Sequence, residues 1–183
     1  MDTGVLSVPL AARSRSEALQ YLAGLGVDAV ELGCGGHPGD EHLPTAEYLD
    51  DERSQRELQA ELDEHGLYVS ALATHNNPLH PDQDRATRAD TELRDAIRLA
   101  AQLDVETITC FSGLPGGAPD DSTPNWITAP WPPEHEDALE YQWERAIDYW
   151  TELAAFAQSH DVHVAIEMHP NMLVYEPHGL LRL

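Results

Sequence analysis

The chain has 183 residues, enough for one domain with its own core, and carries 33 acidic residues against 10 basic ones, a net charge of −23. This charge disfavours a nucleic-acid partner, since binding to a polyanion requires a basic surface. No stretch approaches the roughly 18 consecutive apolar residues of a membrane span, so no membrane association is predicted.

All ten basic residues are arginine, and lysine is absent. An acidic surface without lysine is typical of a protein that works in concentrated salt, where repulsion is screened over roughly 3 Å at 1 M. We therefore interpret the protein as halophilic. Cys34 and Cys110 are too few for a disulfide framework, and residues 1–4 lack the basic start of a signal peptide. These features predict a cytoplasmic location.

The chain repeats one pattern: an amphipathic helix, a short turn and a β-rich run. An opening strand is predicted near residues 5–8, and four copies of the pattern follow, at residues 21–32, 62–72, 103–110 and 160–167. The helices before these strands carry apolar residues at 3.6-residue spacing. Alternating strands and helices predict parallel strands with right-handed crossovers, in a doubly wound sheet or a barrel. No G-x-G-x-x-G follows a strand, so a dinucleotide-binding fold has no support.

Glycines and a serine mark the predicted helix ends. Gly26 and Gly66 stand where a helix would end in a left-handed cap. Ser54 followed by Glu57 predicts a capping box at the start of the second helix.

The connections before the predicted strands are shorter than those after them. The helix-to-strand turns have two or three residues, whereas the strand-to-helix loops are long: residues 33–53, 74–88 and 112–133. Long loops in a compact domain are usually functional. Their position after the strands is typical of a barrel with its site at the C-terminal face, although they would also serve as stiff covers over the sheet end.

The last predicted strand places a carboxylate in an apolar setting. One set of its side chains would face the helices: Val162, Val164, Ile166 and Met168. The alternate set would face a barrel interior: Ala165, Glu167 and His169. Burying an unpaired carboxylate is costly, and no arginine lies in a predicted strand, so a cation from solution is the natural partner of Glu167. An arginine from a loop, or water at the mouth, would also satisfy it.

Other polar and aromatic residues lie in the long loops. His75 follows the third strand and precedes a Pro-fixed turn, which suits metal binding, proton transfer or a hydrogen bond to substrate, as well as a bond to a backbone carbonyl. His37 lies in a glycine-rich segment that could approach a ligand closely. Trp126 and Trp131 would either stack on a sugar face or pack in the core.

Four motifs at the predicted strand ends resemble one family. They are Val-Glu-Leu-Gly-Cys-Gly-Gly at residues 30–36, His-Asn-Asn-Pro-Leu-His-Pro at 75–81, Phe-Ser-Gly-Leu-Pro-Gly at 111–116 and Ile-Glu-Met-His-Pro at 166–170. In this order they resemble the sugar phosphate isomerase/epimerase family, which belongs to the xylose-isomerase-like, endonuclease-IV-like TIM barrels. The resemblance extends from about residue 3 to residue 183.

The resemblance implies an α/β fold: a partial TIM (β/α)8 barrel of about five parallel strands with helices on the outer face. We expect residues 1–183 to form a single domain that stops before the sixth to eighth strands, because such a barrel needs roughly 250 residues.

It also implies a site for a divalent metal, Mg²⁺, Mn²⁺ or Zn²⁺, at the barrel mouth. Glu167 corresponds to the first carboxylate ligand, and His75 to a site histidine that acts with it in catalysis. The other ligands of such sites come from the three later strands. The predicted substrate-binding residues are His37, Asn76, Trp126, Trp131 and His169.

These observations predict an isomerase or epimerase that moves a proton between adjacent carbons of a sugar, sugar phosphate or polyol. The expected partner is therefore a small-molecule sugar. A phosphodiesterase of the endonuclease IV type is the alternative, and an inactive fragment is a third. Open edge strands also predict self-association into a homo-oligomer.

Overall fold

The computed structural model describes residues 1–183 and contains five strands and six helices. The strands are β1 (Gly4–Leu6), β2 (Ala29–Gly36), β3 (Tyr68–His75), β4 (Thr107–Phe111) and β5 (His163–Glu167). The helices are α1 (Arg15–Gly24), α2 (Thr45–Tyr48), α3 (Glu52–His65), α4 (Gln83–Gln102), α5 (Pro133–Gln158) and α6 (Pro177–Arg182), with a 3-10 turn at Val8–Leu10. None of the helices is long and apolar enough to cross a membrane.

The strands form one parallel sheet in the order β1-β2-β3-β4-β5. Each strand pairs with its neighbour in the sequence, as expected when every crossover helix returns the chain in the same direction. A doubly wound sheet would instead reverse its strand order part-way. The predicted partial barrel of five parallel strands is therefore confirmed.

The hydrophobic core lies between the sheet and the helices. Leu32, Leu72 and Ile108 are cross-strand neighbours in β2, β3 and β4, and none of them is exposed. They belong to one cluster with residues from the long helices, among them Leu93 and Ile97 of α4. Because side chains alternate along a strand, the opposite face of the sheet is free of this core.

That opposite face, here called the inner face, has small and polar side chains. Its side chains form successive rows across the strands. The first row holds Glu31 and Ala71, the second holds Gly33, Ala73, Thr109 and Ala165, and the third holds Phe111 and Glu167. Interiors of TIM barrels are usually filled by branched aliphatic residues. The inner face of this sheet therefore differs from a packed barrel core.

Loop lengths differ at the two ends of the sheet, as predicted. The helix-to-strand connections are short, at residues 25–28, 66–67, 103–106 and 159–162. The connections that follow the strands include residues 37–51, with α2 inside them, and residues 112–132. The predicted loop at 74–88 is shorter than expected, because β3 continues to His75 and α4 begins at Gln83.

The predicted capping box at Ser54 and Glu57 is wrong. Helix α3 begins earlier, at Glu52, because the carboxylate of Asp51 accepts a hydrogen bond from the backbone N–H of Arg53 at 3.0 Å. The Ser54 hydroxyl donates to the same carboxylate at 2.8 Å. An Asp is as good a cap as a Ser, so the sequence offered two candidates in one turn.

The predicted left-handed glycines are confirmed. Gly66 caps α3 with φ of 66°, and Gly26, which follows α1, has φ of 75°.

A capping box does exist at the start of α1. The Ser14 hydroxyl accepts from the backbone N–H of Glu17, and the Glu17 carboxylate accepts from that of Ser14 at 2.9 Å. We expect Ser14→Ala to lower the free energy of unfolding by about 1 kcal/mol, because the backbone N–H of Glu17 loses its acceptor and the Glu17 carboxylate loses the hydroxyl donor. Urea unfolding at fixed salt measures this change. Ser122→Ala, in an exposed loop, is the control, and equal losses in both variants would contradict the assignment.

Candidate active site

His75 and Glu167 meet at the C-terminal edge of the sheet. His75 ends β3, Glu167 ends β5, and β4 lies between them. Nε2 of His75 is 2.9 Å from Oε2 of Glu167. The His75 side chain is only 5% exposed, whereas that of Glu167 is 53% exposed. A buried ring thus lies beside a carboxylate that is open to ligands, at the edge where TIM barrels hold their active sites.

The buried imidazole of His75 favours its neutral form. Burial lowers the pKa of His75 below its ordinary value, and the carboxylates of Glu167 and Glu31 oppose this effect. The Glu167 oxygen is within ion-pair distance, but the geometry is not that of a hydrogen bond, and Nε2 has no hydrogen-bond partner. A neutral, unpartnered ring nitrogen is available to accept a proton or bind a metal.

Two more rings complete this end of the sheet. Phe111 of β4 packs edge-on against His75, with ring centroids 4.4 Å apart, and is tilted against His169, with ring centroids 4.5 Å apart. Nδ1 of His169 is 2.7 Å from the carbonyl oxygen of Pro170. Since a carbonyl only accepts, Nδ1 of His169 carries a proton in this contact.

Sequence reasoning missed a second carboxylate on the inner face. The Thr109 hydroxyl of β4 donates to Oε1 of Glu31 in β2, across β3. Glu31 is half-buried. It alternates with the apolar Val30 and Leu32, so the same argument that selected Glu167 would have selected Glu31.

The structure brings together only three of the predicted site residues: His75, Glu167 and His169. The side chain of His37 is exposed, and only its backbone N–H reaches His75, at the carbonyl oxygen. Asn76 donates to Glu92 of α4. Trp131 is 76% exposed.

The loops after β4 and β5 contact each other, and Trp126 takes part in these contacts. The Ser112 hydroxyl accepts from the backbone N–H of Val174 at 2.9 Å, and the Ser112 carbonyl accepts from the indole N–H of Trp150 at 3.0 Å. Trp126 packs edge-on against Tyr175, with ring centroids 5.6 Å apart. The loops after β4 and β5 are therefore joined to each other and to α5 at Ser112, which is completely buried.

Gly36 allows the close approach of β2 to the end of β3. It has φ of 66°, and a Cβ there would stand 2.7 Å from the carbonyl oxygen of His75. We expect Gly36→Ala to lower the free energy of unfolding by about 1–3 kcal/mol more than Gly26→Ala. Gly26 has φ of 75° but nothing within 4 Å of an added Cβ, so it controls for backbone strain alone. Urea unfolding of both variants is the measurement, and equal losses would contradict the clash.

The residues present fit a divalent metal in part. Nε2 of His75 and Oε2 of Glu167 are adjacent donors of the kinds that such ions accept. No group of three or more His, Cys, Asp and Glu side chains is placed to hold an ion in residues 1–183. The two cysteines add nothing, since burial raises the pKa of Cys34 and Cys110 to about 12.

Known proteins share this fold. The sequence profile of the xylose isomerase-like TIM barrel family matches residues 19–183. The uncharacterized protein YfiH of Bacillus subtilis is 37% identical over 171 residues, which cover 91% of this chain and 54% of that protein.

Solved structures of other proteins are also similar to this fold. The IolI protein with a zinc atom matches 98% of this chain and 56% of its own, at a TM-score of 0.67 and 18% identity. D-psicose 3-epimerase with D-tagatose, from Clostridium cellulolyticum H10, matches 92% of this chain and 52% of its own, at a TM-score of 0.61 and 20% identity. The chain thus spans about half the length of the proteins it matches.

Proposed function

Because the chain belongs to the xylose isomerase-like TIM barrel family, we propose that it contributes one side of the active site of a metal-dependent sugar isomerase or epimerase. The observation that carries this proposal is the pair of His75 and Glu167 at the C-terminal ends of β3 and β5. The likeness to a D-psicose 3-epimerase supports a sugar or polyol as the substrate class.

Glu167 and His75 would have different roles in the reaction. Glu167, exposed at the mouth, would hold a divalent ion through Oε2, together with ligands from other parts of the barrel. When bound, such an ion polarises a carbonyl and its neighbouring hydroxyl group. The neutral His75 would accept, at Nε2, the proton of the carbon beside the carbonyl, a role that contributes about 10²- to 10⁴-fold to rate. Return of the proton to the neighbouring carbon would give an isomer, and delivery of a proton by another group to the opposite face of the same carbon would give an epimer. Phe111 and His169 would line the site beside His75.

The test is a substrate panel with the full-length protein. We expect it to convert at least one of D-fructose, D-tagatose and D-psicose to an epimer or to the corresponding aldose with added Mn²⁺, and to lose this activity in EDTA. Abasic DNA is the comparison substrate. Cleavage of that DNA, with no conversion of any ketose, would favour a phosphodiesterase and contradict the proposal.

Three further features are proposed with this function. The lysine-free, acidic composition supports a halophilic protein of the cytoplasm that binds a small sugar rather than nucleic acid. β1 and β5 are the outer strands of the sheet, so each leaves one edge unpaired in residues 1–183. Such edges pair readily with further strands, which supports association with another copy or with more of the barrel.

A further inference from the structure

Glu31 is held in an unusual position for a carboxylate. Its side chain reaches from β2 to the Thr109 hydroxyl of β4, over the intervening strand. Ala71 and Ala73 of β3 are the inner-face residues in between, and both are buried, at 5% and 0% exposure. Alanine is small enough to let Glu31 cross above it. The sequence of β3 thus creates room for this contact.

No cation within the chain neutralises Glu31. The ion pairs of the arginines are with Glu61, Glu57, Glu52, Asp90, Glu152 and Asp95. Thr109 is bonded to Oε1, and Oε2 of Glu31 has no hydrogen bond. An ionised carboxylate offers about four acceptor positions, so most of those of Glu31 remain free. A half-buried carboxylate whose one hydrogen-bond partner is a neutral hydroxyl is stabilised by a further hydrogen-bond donor.

The contact of Glu31 with Thr109 lies on the same face of the sheet as Glu167. Thr109 lies two residues before Phe111, which is the register partner of Glu167. Two residues of a strand rise about 6.6–6.8 Å, so Glu31 meets Thr109 one row below His75 and Glu167. The row that holds Thr109 also carries Gly33, Ala73 and Ala165, whose side chains are too short to close this path. A few carbons of an extended polyol would bridge the two levels.

We propose that Glu31 determines specificity by accepting, through Oε2, a hydrogen bond from a terminal hydroxyl group of an open-chain ketose. This inference rests on the proposed function and refines it, because it assigns the substrate an extended polyhydroxy chain that enters the inner face. Thr109 is the positioning residue that holds the carboxylate in place. A site with a buried acceptor rejects analogues that lack the matching hydroxyl group.

The test compares Glu31→Gln and Thr109→Val in the full-length protein, with the most active ketose of the panel and its 1-deoxy and 6-deoxy analogues. We expect Glu31→Gln to raise KM for the parent ketose about tenfold, with a smaller change in kcat, because it removes a charge-assisted hydrogen bond. It should also reduce the preference for the parent over one deoxy analogue. The Kd for Mn²⁺, measured by calorimetry, should not change. Thr109→Val should have the weaker effect on KM.

The outcomes separate the two proposals. If the wild-type protein neither converts nor binds any ketose, the proposed function and this inference both fail. If the wild-type protein is active and Glu31→Gln, folded by circular dichroism, keeps its KM and its preference, only the inference fails. Equal KM effects in Glu31→Gln and Thr109→Val, with no loss of preference, would also overturn it, because Glu31 would then be merely a structural partner of Thr109.

Discussion

Glu167→Gln is expected to lower metal-dependent ketose conversion by the full-length protein by at least about a hundredfold. The amide keeps the size of the side chain but removes the negative charge that would hold a divalent ion beside His75. Both turnover and the Kd for Mn²⁺ should therefore change, and steady-state assays with parallel calorimetry measure them. This pattern differs from that expected of Glu31→Gln, which should leave the metal affinity unchanged.

Glu106→Gln is the matched control. Glu106 is an exposed carboxylate that precedes β4, at the opposite end of the sheet from the candidate site. It should change neither turnover nor Mn²⁺ binding. For a polypeptide limited to residues 1–183, we expect only weak Mn²⁺ binding, since Glu167 supplies one carboxylate and such an ion prefers about six ligands. Micromolar binding by that polypeptide, abolished by Glu167→Gln, would show instead that five strands suffice.

The thermal midpoint of the protein should rise on the order of 10 °C between about 0.1 M and about 3 M KCl. The net charge of −23 makes self-repulsion the main term that added salt removes. For a domain of this size each kcal/mol of stability shifts the midpoint by about 2–4 °C. Differential scanning calorimetry across the salt series measures the shift, and a midpoint independent of salt would reject the halophilic interpretation.

A charge-reduced variant separates screening from other effects of salt. Glu64, Glu140 and Glu144 are exposed on α3 and α5, and none of them takes part in an ion pair within 4.0 Å. Changing all three to Gln should raise the midpoint at low salt and make its dependence on KCl shallower. If the variant keeps the full salt response, preferential exclusion of salt from the protein surface would explain the result better than charge.

The sequence pattern was sufficient for the number of strands and for their parallel direction. Each strand after the first is preceded by an amphipathic helix and a short turn, a repetition that both a doubly wound sheet and a barrel satisfy, and the family resemblance favoured the sequential order of a barrel. Helix starts were less predictable. Asp51 and Ser54 are both good caps within one turn, and only the geometry of the preceding loop selects Asp51.

The candidate site was predictable where side-chain alternation determined it. Glu167 follows from the apolar residues on either side of it in the sequence, and its neighbour His75 from its place at a strand end. The partner of Asn76, in contrast, lies 16 residues away on α4, and the contact of Glu31 with Thr109 spans 78 residues. Such contacts depend on strand register and on the small size of Ala71 and Ala73, which local patterns do not report.

Ser112 has a consequence for how new substrate preferences could arise on this scaffold. Because it fastens the loop after β4 to the loop after β5, a change of length or sequence in one loop disturbs the backbone of the other. Substitutions in the two segments should therefore be inherited as correlated pairs. An engineer who transplants a recognition loop from a relative would need to move residues 112–132 and 168–175 together, with Trp150 retained as the shared anchor.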